Sequence, residues 1–365
     1  MADSKIPSSV QDITPEWLTW ALRETGIIDK ATVTSSDMEL IEGRGVMGQV
    51  ARVVLRYDHF EEGTPGSLIV KLPSADETLR VDVTRMGLYE REIRFYEELA
   101  GQIELRTPRR YYSAMDTDAG EYVLLMEDMA PARVGDNVAG CSLAEAELAI
   151  RNLARLHATW WESPRLAGLD WLPVFYADPE QAQMRFEESW GPFLKRFHNV
   201  MPASMTEVAE KLKSNVAYVV SSIGESPRTL IHGDFRLDNL FFSSGKDGAV
   251  LAAVDWQVVS KSKGVFEVAY FLAWSLQPEQ RRAKEMDLLG MYHSMLLDNG
   301  VAGYDFDLCL KEYRLLMLFP LIRLVTVGVN SGLSHRRLVR LLRTLLERTV
   351  AAITDLKSVD LLPSA

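Results

Sequence analysis

Apolar residues recur along this chain with two different periods, and the change from one to the other divides it. The stretch TPEWLTWALRETG offers Thr14 as a helix N-cap, Pro15 at the first helical position and Gly26 as a stop, which predicts a short amphipathic helix. From Asp37 the pattern becomes extended. MELIEGRGVMGQVARVVLRYD reads as strand, glycine-rich loop, strand, with Val50, Val53 and Val54 favouring the pleated backbone. GTPG then predicts a turn and SLIVKLP a third strand. LYEREIRFYEELA returns to helical spacing, with Tyr89, Ile93, Tyr96 and Leu99 along one side. Two more strands are predicted after it, the second being YVLLMED.

Beyond Pro131 the texture is helical. Ser142 and Glu145 form a capping-box signature ahead of LAEAELAIRNLARLHATWW, where Ala146, Ile150, Leu153, His157 and Trp160 share a face. WGPFLKRF and the segment from Met205 to Ile223 read as further helices. A short β region containing AVLAAVDWQ interrupts them, and helices continue to the end. The prediction is an α+β chain with a small N-terminal antiparallel β lobe carrying one main helix and a helical extension (residues 1–128). A larger, mainly helical lobe follows (129–365).

Composition narrows the function classes. The chain has 365 residues, 47% hydrophobic and 25% charged, enough for two lobes with their own cores. A formal charge of −11 argues against a general nucleic-acid or anionic-membrane binder. Only Cys141 and Cys309 are present, so neither a disulfide framework nor a cysteine-rich metal site is expected. MADSKIPSSV lacks the apolar core of a signal peptide. LLMLFPLIRLV, broken by Pro320 and Arg323, is too short to span a bilayer. The expected compartment is the cytosol.

Gly43, Gly45 and Gly48 spell G-x-G-x-x-G, but the strand-like QVARVVLRYD that follows excludes a dinucleotide-binding unit, which needs a helix there. A glycine loop between antiparallel strands can cover nucleotide phosphates, and can equally be an ordinary hairpin using glycine for positive φ. Lys71, ending SLIVKLP, reads as a cation aimed at the α- and β-phosphates or as an exposed edge lysine. Glu92 is the candidate carboxylate to hold it, Glu90 the alternative, and either could simply solvate a helix face.

The most informative stretch is HGDFRLDNLFF. His232, Asp234 and Asn239 give H-x-D-x-x-x-x-N, and Asp255 follows at the end of the apolar strand AVLAAVD. Phosphoryl transfer to a hydroxyl needs a carboxylate to orient the nucleophile and accept its proton, which suits Asp234. It also needs oxygen ligands for Mg2+, which suits Asn239 and Asp255. Asp234 and Asn239 could each be turn formers, but that account leaves their joint order with Asp255 unexplained.

With these pieces in order, the sequence resembles the aminoglycoside phosphotransferase and choline kinase-like superfamily of small-molecule kinases. EGRGVMGQVARVVLRY, LIVKLP, EREIRFYEEL, VLLMEDM, LARLHATWW, IHGDFRLDNLFF and AVDWQ carry the resemblance from Glu42 to Tyr270. EDM, LHATWW and DWQ look most like the branch that includes ecdysteroid kinase-like proteins and uncharacterised bacterial phosphotransferases. The resemblance implies a bilobal protein-kinase-like fold, with Asp234 as catalytic base and Asn239 and Asp255 as Mg2+ ligands. Lys71 would contact phosphate and pair with Glu92. Backbone groups near Glu127 and Met129 would hold the adenine edge of ATP, with Met126 lining its pocket. His232 and His157 would brace the catalytic loop, and Arg236 would pair with Asp238 or touch phosphate. Glu267 stands where the family usually has aspartate, which puts one supporting hydrogen bond in question. No activation segment like that of protein kinases is visible.

The acceptor site would be built by C-terminal helices carrying Trp190, Phe193, Phe197, His198, Tyr270, Trp274, Tyr313 and Phe319. Those aromatics would suit an apolar alcohol or a quaternary amine, or serve as core filler. The leading expectation is an ATP- and Mg2+-dependent kinase acting on the hydroxyl of a small molecule. The alternatives are an inactive nucleotide-binding module, an aminoglycoside-modifying kinase and a protein kinase.

Overall fold

The computed structural model describes residues 6–41, 47–198, 201, 205–245, 248–328 and 336–363. Its chain forms two compact units: residues 1–131 together with 254–258, and residues 132–253 together with 259–365.

The first unit opens with α1 (Pro15–Glu24), whose first turn is capped by Thr14 Oγ1 accepting the Trp17 N–H at 3.2 Å. Gly26, at φ +68°, turns the chain out of it. Strands β1 (Val33–Leu40), β2 (Gly48–Tyr57) and β3 (Ser67–Pro73) follow, then α2 (Glu77–Arg85), α3 (Leu88–Arg94), β4 (Arg110–Asp116) and β5 (Glu121–Glu127). The sheet is antiparallel throughout, in the order β1-β2-β3-β5-β4. Leu18, Ala21 and Leu22 of α1 pack with Val53, Leu55, Leu68, Val70, Leu72, Val123 and Leu125, so the helical extension covers one face of the sheet. The alternation of β3 turns Leu68, Val70 and Leu72 into that core and Lys71 to the other face.

Three details depart from the sequence pattern. The first strand begins at Val33, ahead of the expected Asp37. Helix α2 was not legible, because only Val83 among its residues is buried. The helix expected through LYEREIRFYEELA is α-helical only to Arg94. Residues Phe95–Leu99 then form a π turn, with the Ala100 N–H reaching the Phe95 carbonyl.

The second unit contains β6 (Arg133–Val134), α4 (Leu143–Trp160), α5 (Pro164–Ala167), α6 (Pro179–Phe197), α7 (Met205–Lys213) and α8 (Val216–Ile223). There follow β7 (Thr229–Ile231), β8 (Leu240–Gly245), β9 (Gly248–Ala253) and β10 (Ser260–Ser262). Helices α9 (Val265–Ser275), α10 (Pro278–Asp298), α11 (Phe306–Leu316), α12 (Phe319–Gly328) and α13 (Arg336–Asp355) complete it. The Ser142–Glu145 capping box starts α4, with the Glu145 N–H donating to Ser142 Oγ at 3.2 Å and the Ser142 N–H to Glu145 Oε2 at 2.9 Å. The helix expected from Met205 to Ile223 is two helices, because the chain turns at Ser214 and Asn215, where the Asn215 N–H bonds the Leu212 carbonyl. Strands β6, β8 and β9 make one small sheet, and β7 with β10 another. The loop from His232 to Asn239 joins them. Every residue of α9 is buried, so this helix runs through the interior beneath that loop. No helix among the described residues is long and apolar enough to cross a membrane.

Candidate active site

In the first unit, three sequence-predicted residues meet. Lys71 Nζ donates to Glu92 Oε1 at 2.6 Å and to Asp255 Oδ1 at 2.8 Å. The Glu92 side chain is 2% exposed and that of Lys71 12%, so this ion pair is largely shielded from water. Burial would lower the Lys71 pKa, but Asp255 and Glu92 outweigh it, and the ammonium is held well above its ordinary value. Glu90, the alternative partner, bonds Arg94 at 2.7 Å on the same helix instead. Asp255 sits at φ +69°, a left-handed conformation uncommon for a residue with a Cβ. Its Oδ1 also accepts from Gln257 Nε2 at 2.8 Å. Next to it Trp256 stacks on Phe95, ring centres 4.0 Å apart and planes within 7°. Phe95 is the first residue of the π turn, and the Trp256 N–H reaches the Glu92 carboxylate.

Gly43 and Gly45 lie outside the described residues. Gly48 opens β2, where a Cβ would stand 2.6 Å from the Leu72 carbonyl oxygen, so close strand packing alone requires glycine there. Met126 is buried in β5, 3% exposed. Glu127 ends that strand, its N–H donating to the Arg109 carbonyl at 2.8 Å, and its carboxylate accepts from Arg106 Nη2 at 2.6 Å and the Arg109 N–H at 3.0 Å. Met129 lies in the loop after it and is half-buried. Between them Asp128, which the sequence reading passed over, accepts from Arg52 Nε at 2.6 Å and Ser67 Oγ at 2.7 Å.

In the second unit, both oxygens of Asp234 are occupied. Oδ1 accepts from Tyr270 Oη at 2.7 Å and Arg323 Nη2 at 3.1 Å; Oδ2 accepts from Arg236 Nε at 3.0 Å and Asn239 Nδ2 at 3.1 Å. Burial would raise this carboxyl's pKa, but Arg236, Arg323 and the Tyr270 hydroxyl prevail and hold it well below the usual carboxylate range. Asp234 is therefore ionised at any physiological pH. Asn239 Nδ2 also donates to the Asp234 carbonyl at 3.0 Å, which fixes the amide with its oxygen turned away from Asp234. Arg236 bonds both carboxylates of its loop, Asp234 and, at 2.9 Å, Asp238.

Two braces hold the loop. Glu267 of α9, fully buried, accepts the His232 N–H at 3.0 Å on Oε2 and the Gly233 N–H at 2.7 Å on Oε1. His157 Nε2 lies 3.2 Å from the same Oε2, and its Nδ1 lies 2.9 Å from Tyr292 Oη. The longer side chain at this position thus makes two backbone bonds to the loop. Asn137 forms the other brace: its Oδ1 accepts the Leu237 N–H at 3.1 Å, and its own N–H and Nδ2 bond Asp238, each at 3.2 Å. Arg348 of α13 in turn bonds the Asn137 carbonyl at 2.6 Å.

The sequence reading missed Asn137, Gln257 and Arg323. Arg323 had left a signal, a lone arginine inside an apolar run, where a charge persists only if paired. Of the aromatics proposed for the acceptor, Trp190, Phe193 and Phe197 pack on one another along α6, and Tyr313 donates to Glu285 at 2.7 Å. They are core. His198 is exposed, and Tyr270 is the one whose polar atom reaches Asp234.

A sequence profile described as the ecdysteroid kinase-like family matches residues 42–300. The chain belongs to the ecdysteroid kinase-like family. No curated protein matches the sequence. Among solved structures, a Ralstonia eutropha protein provisionally assigned as an aminoglycoside phosphotransferase is 17% identical, covers 95% of this chain and 99% of its own, and superposes with a TM-score of 0.57. An APH(2")-type protein, solved with GDP and kanamycin, gives 0.54 at 12% identity, over 93% of this chain and 98% of its own. Ethanolamine kinase of Plasmodium vivax gives 0.50 at 11% identity, over 93% and 87%. At these identities the likeness is one of fold. The family member described here has the protein-kinase-like α+β fold that its motifs imply.

Proposed function

We propose that the protein is an ATP- and Mg2+-dependent phosphotransferase that moves the γ-phosphoryl group to a hydroxyl of a small molecule. The observation that carries this reading is the occupied Asp234 carboxylate, kept ionised by two guanidinium groups and steered by Tyr270 and Asn239. Such a carboxylate is a weak base but a well-oriented acceptor. Its task is to hold the nucleophilic hydroxyl in line and take its proton late, as bond formation acidifies that hydroxyl. Lys71, kept cationic by Glu92 and Asp255, supplies a positive charge to the α- and β-phosphates.

The donors fit a hard divalent cation, since Asn239 offers an amide oxygen and Asp255 a carboxylate. Bound Mg2+ would offset charge on the phosphates. Gly43, Gly45 and Gly48 would cover the phosphates, backbone groups near Glu127 and Met129 would hold the adenine edge, and Met126 would line its pocket. The family relationship supports the same reading, as do the phosphotransferase neighbours solved with kanamycin or named for ethanolamine.

The test is ADP formation by purified protein given ATP, Mg2+ and a panel of alcohols. Acceptor-dependent ADP release that Asp234→Ala abolishes is the expected result. Tight nucleotide binding with no turnover across a broad panel would show an inactive binding module instead.

A further inference from the structure

The groups around Asp234 also bear on which acceptors can approach it. Asp234, Asp238, Arg236 and Arg323 form one cluster in the second unit, two carboxylates against two guanidinium groups. The negative charge on Asp234 is already shared by both arginines. Arg236 is tied on its other side to Asp238, whereas the ion pair of Arg323 is with Asp234 alone among the described residues. Arg323 projects from α12 and lies over the Tyr270 ring at 5.7 Å, beside the hydroxyl that shares Oδ1 with it. Tyr176, at φ +51°, lies within electrostatic range of Arg323 and sets its ring edge-on to Phe319 at 4.9 Å. A non-glycine residue held in that conformation is backbone strain of the kind that clusters at ligand-binding walls.

On the phosphotransferase reading, which this rests on, the acceptor hydroxyl must bond Asp234. We infer that Arg323 sets the charge class of the acceptor: the site takes an alcohol that carries no positive charge. As the hydroxyl engages Oδ1, Arg323 gives up part of its ion pair and leaves a guanidinium beside the acceptor. A cation on the acceptor would then face two guanidinium groups, while both carboxylates of the cluster are already engaged by them. At the effective permittivity of such sites, one unit charge within about 8 Å of another changes affinity by at least about tenfold. An uncharged acceptor avoids this repulsion, and an anionic one gains from it.

The test uses choline and its uncharged isostere 3,3-dimethyl-1-butanol, together with 4-hydroxybutyrate and larger alcohols of each charge class. ADP release is measured with each, and without acceptor, for the native protein and for Arg323→Gln. The native protein is expected to prefer uncharged or anionic alcohols over cationic ones by at least about tenfold in kcat/KM. Arg323→Gln is expected to shrink that ratio by a similar factor. Because the ratio compares acceptors on one preparation, partial loss of folded protein does not alter it.

A cationic alcohol as the best acceptor, or a ratio unmoved in Arg323→Gln, overturns the inference. So does hydrolysis of ATP by water that no uncharged or anionic alcohol stimulates. If ATP binds but is turned over neither with acceptors nor with water, the phosphotransferase reading itself has failed.

Discussion

Asn137 is bonded twice to Asp238, its backbone N–H to one carboxylate oxygen and its side-chain amide to the other, each at 3.2 Å. With its Oδ1 on the Leu237 N–H, this fully buried residue holds the middle of the loop that bears Asp234 and Asn239. Asn137→Ala leaves a buried N–H unsatisfied and frees Asp238 on that side. The expected cost is about 1–3 kcal/mol in denaturant unfolding. On the proposed function, turnover should fall while the KM for ATP stays nearly unchanged, because both polar atoms of the Asn137 side chain bond the loop.

Lys71 and Glu92 provide a coupling test. Removing one partner of a buried ion pair strands the other, at a cost of about 3–5 kcal/mol. Lys71→Met should be the harsher change, since it leaves the carboxylates of both Glu92 and Asp255 without their shared cation. In the double variant Lys71→Met, Glu92→Gln, part of the loss should be recovered. A double-mutant cycle by chemical denaturation reads the coupling directly, and additive effects would contradict the pairing.

Acid should reveal Asp234. Its folded pKa is depressed, so its stabilising contribution is complete above its ordinary value of about 3.9 and is lost as pH falls through the window below that. The stability gap between the native protein and Asp234→Asn should therefore be widest near neutrality and narrow progressively under pH 4. For the same reason, the pH–rate profile should show no acid limb from Asp234 above about pH 5.

Two glycines give opposite expectations. A Cβ at Gly135 would stand 2.5 Å from the Leu237 carbonyl oxygen, and backbone cannot yield as a flexible side chain can. Gly135→Ala should destabilise by about 1–3 kcal/mol and, on the proposed function, lower turnover by shifting the loop that bears Asp234. Gly191, inside α6, has nothing within 4 Å of its would-be Cβ, so Gly191→Ala should stabilise by about 0.5–1 kcal/mol. Thermal melts of both proteins check the contrast.

Much of the architecture was legible because it rests on periodicity and on end signals. Thr14 with Pro15, and Ser142 with Glu145, announce helices whose caps form as those residue types dictate. The pairing of Lys71 with Glu92 was also readable, since a lysine on an apolar strand needs a counterion and the following helix offers one. What escaped depends on tertiary partners. Nothing in GDNVAG says that Asn137 will reach across to Asp238, because an asparagine in such a stretch reads equally well as a turn. The aromatics of α6 look like a ligand wall in one dimension and prove to be packed on one another. The turn that separates α7 from α8 carries no proline or glycine at Ser214 or Asn215, so no local signal marks it.

The five residues 254–258 that return to the first unit decide how the protein can be dissected. A fragment ending at Pro131 would keep all five strands of its sheet yet expose Phe95, whose ring would lose its Trp256 cover. Lys71 would be left with a single counterion. No single cut yields a self-sufficient N-terminal piece; grafting the pentapeptide back through a designed linker, or permuting the chain, is the route to one.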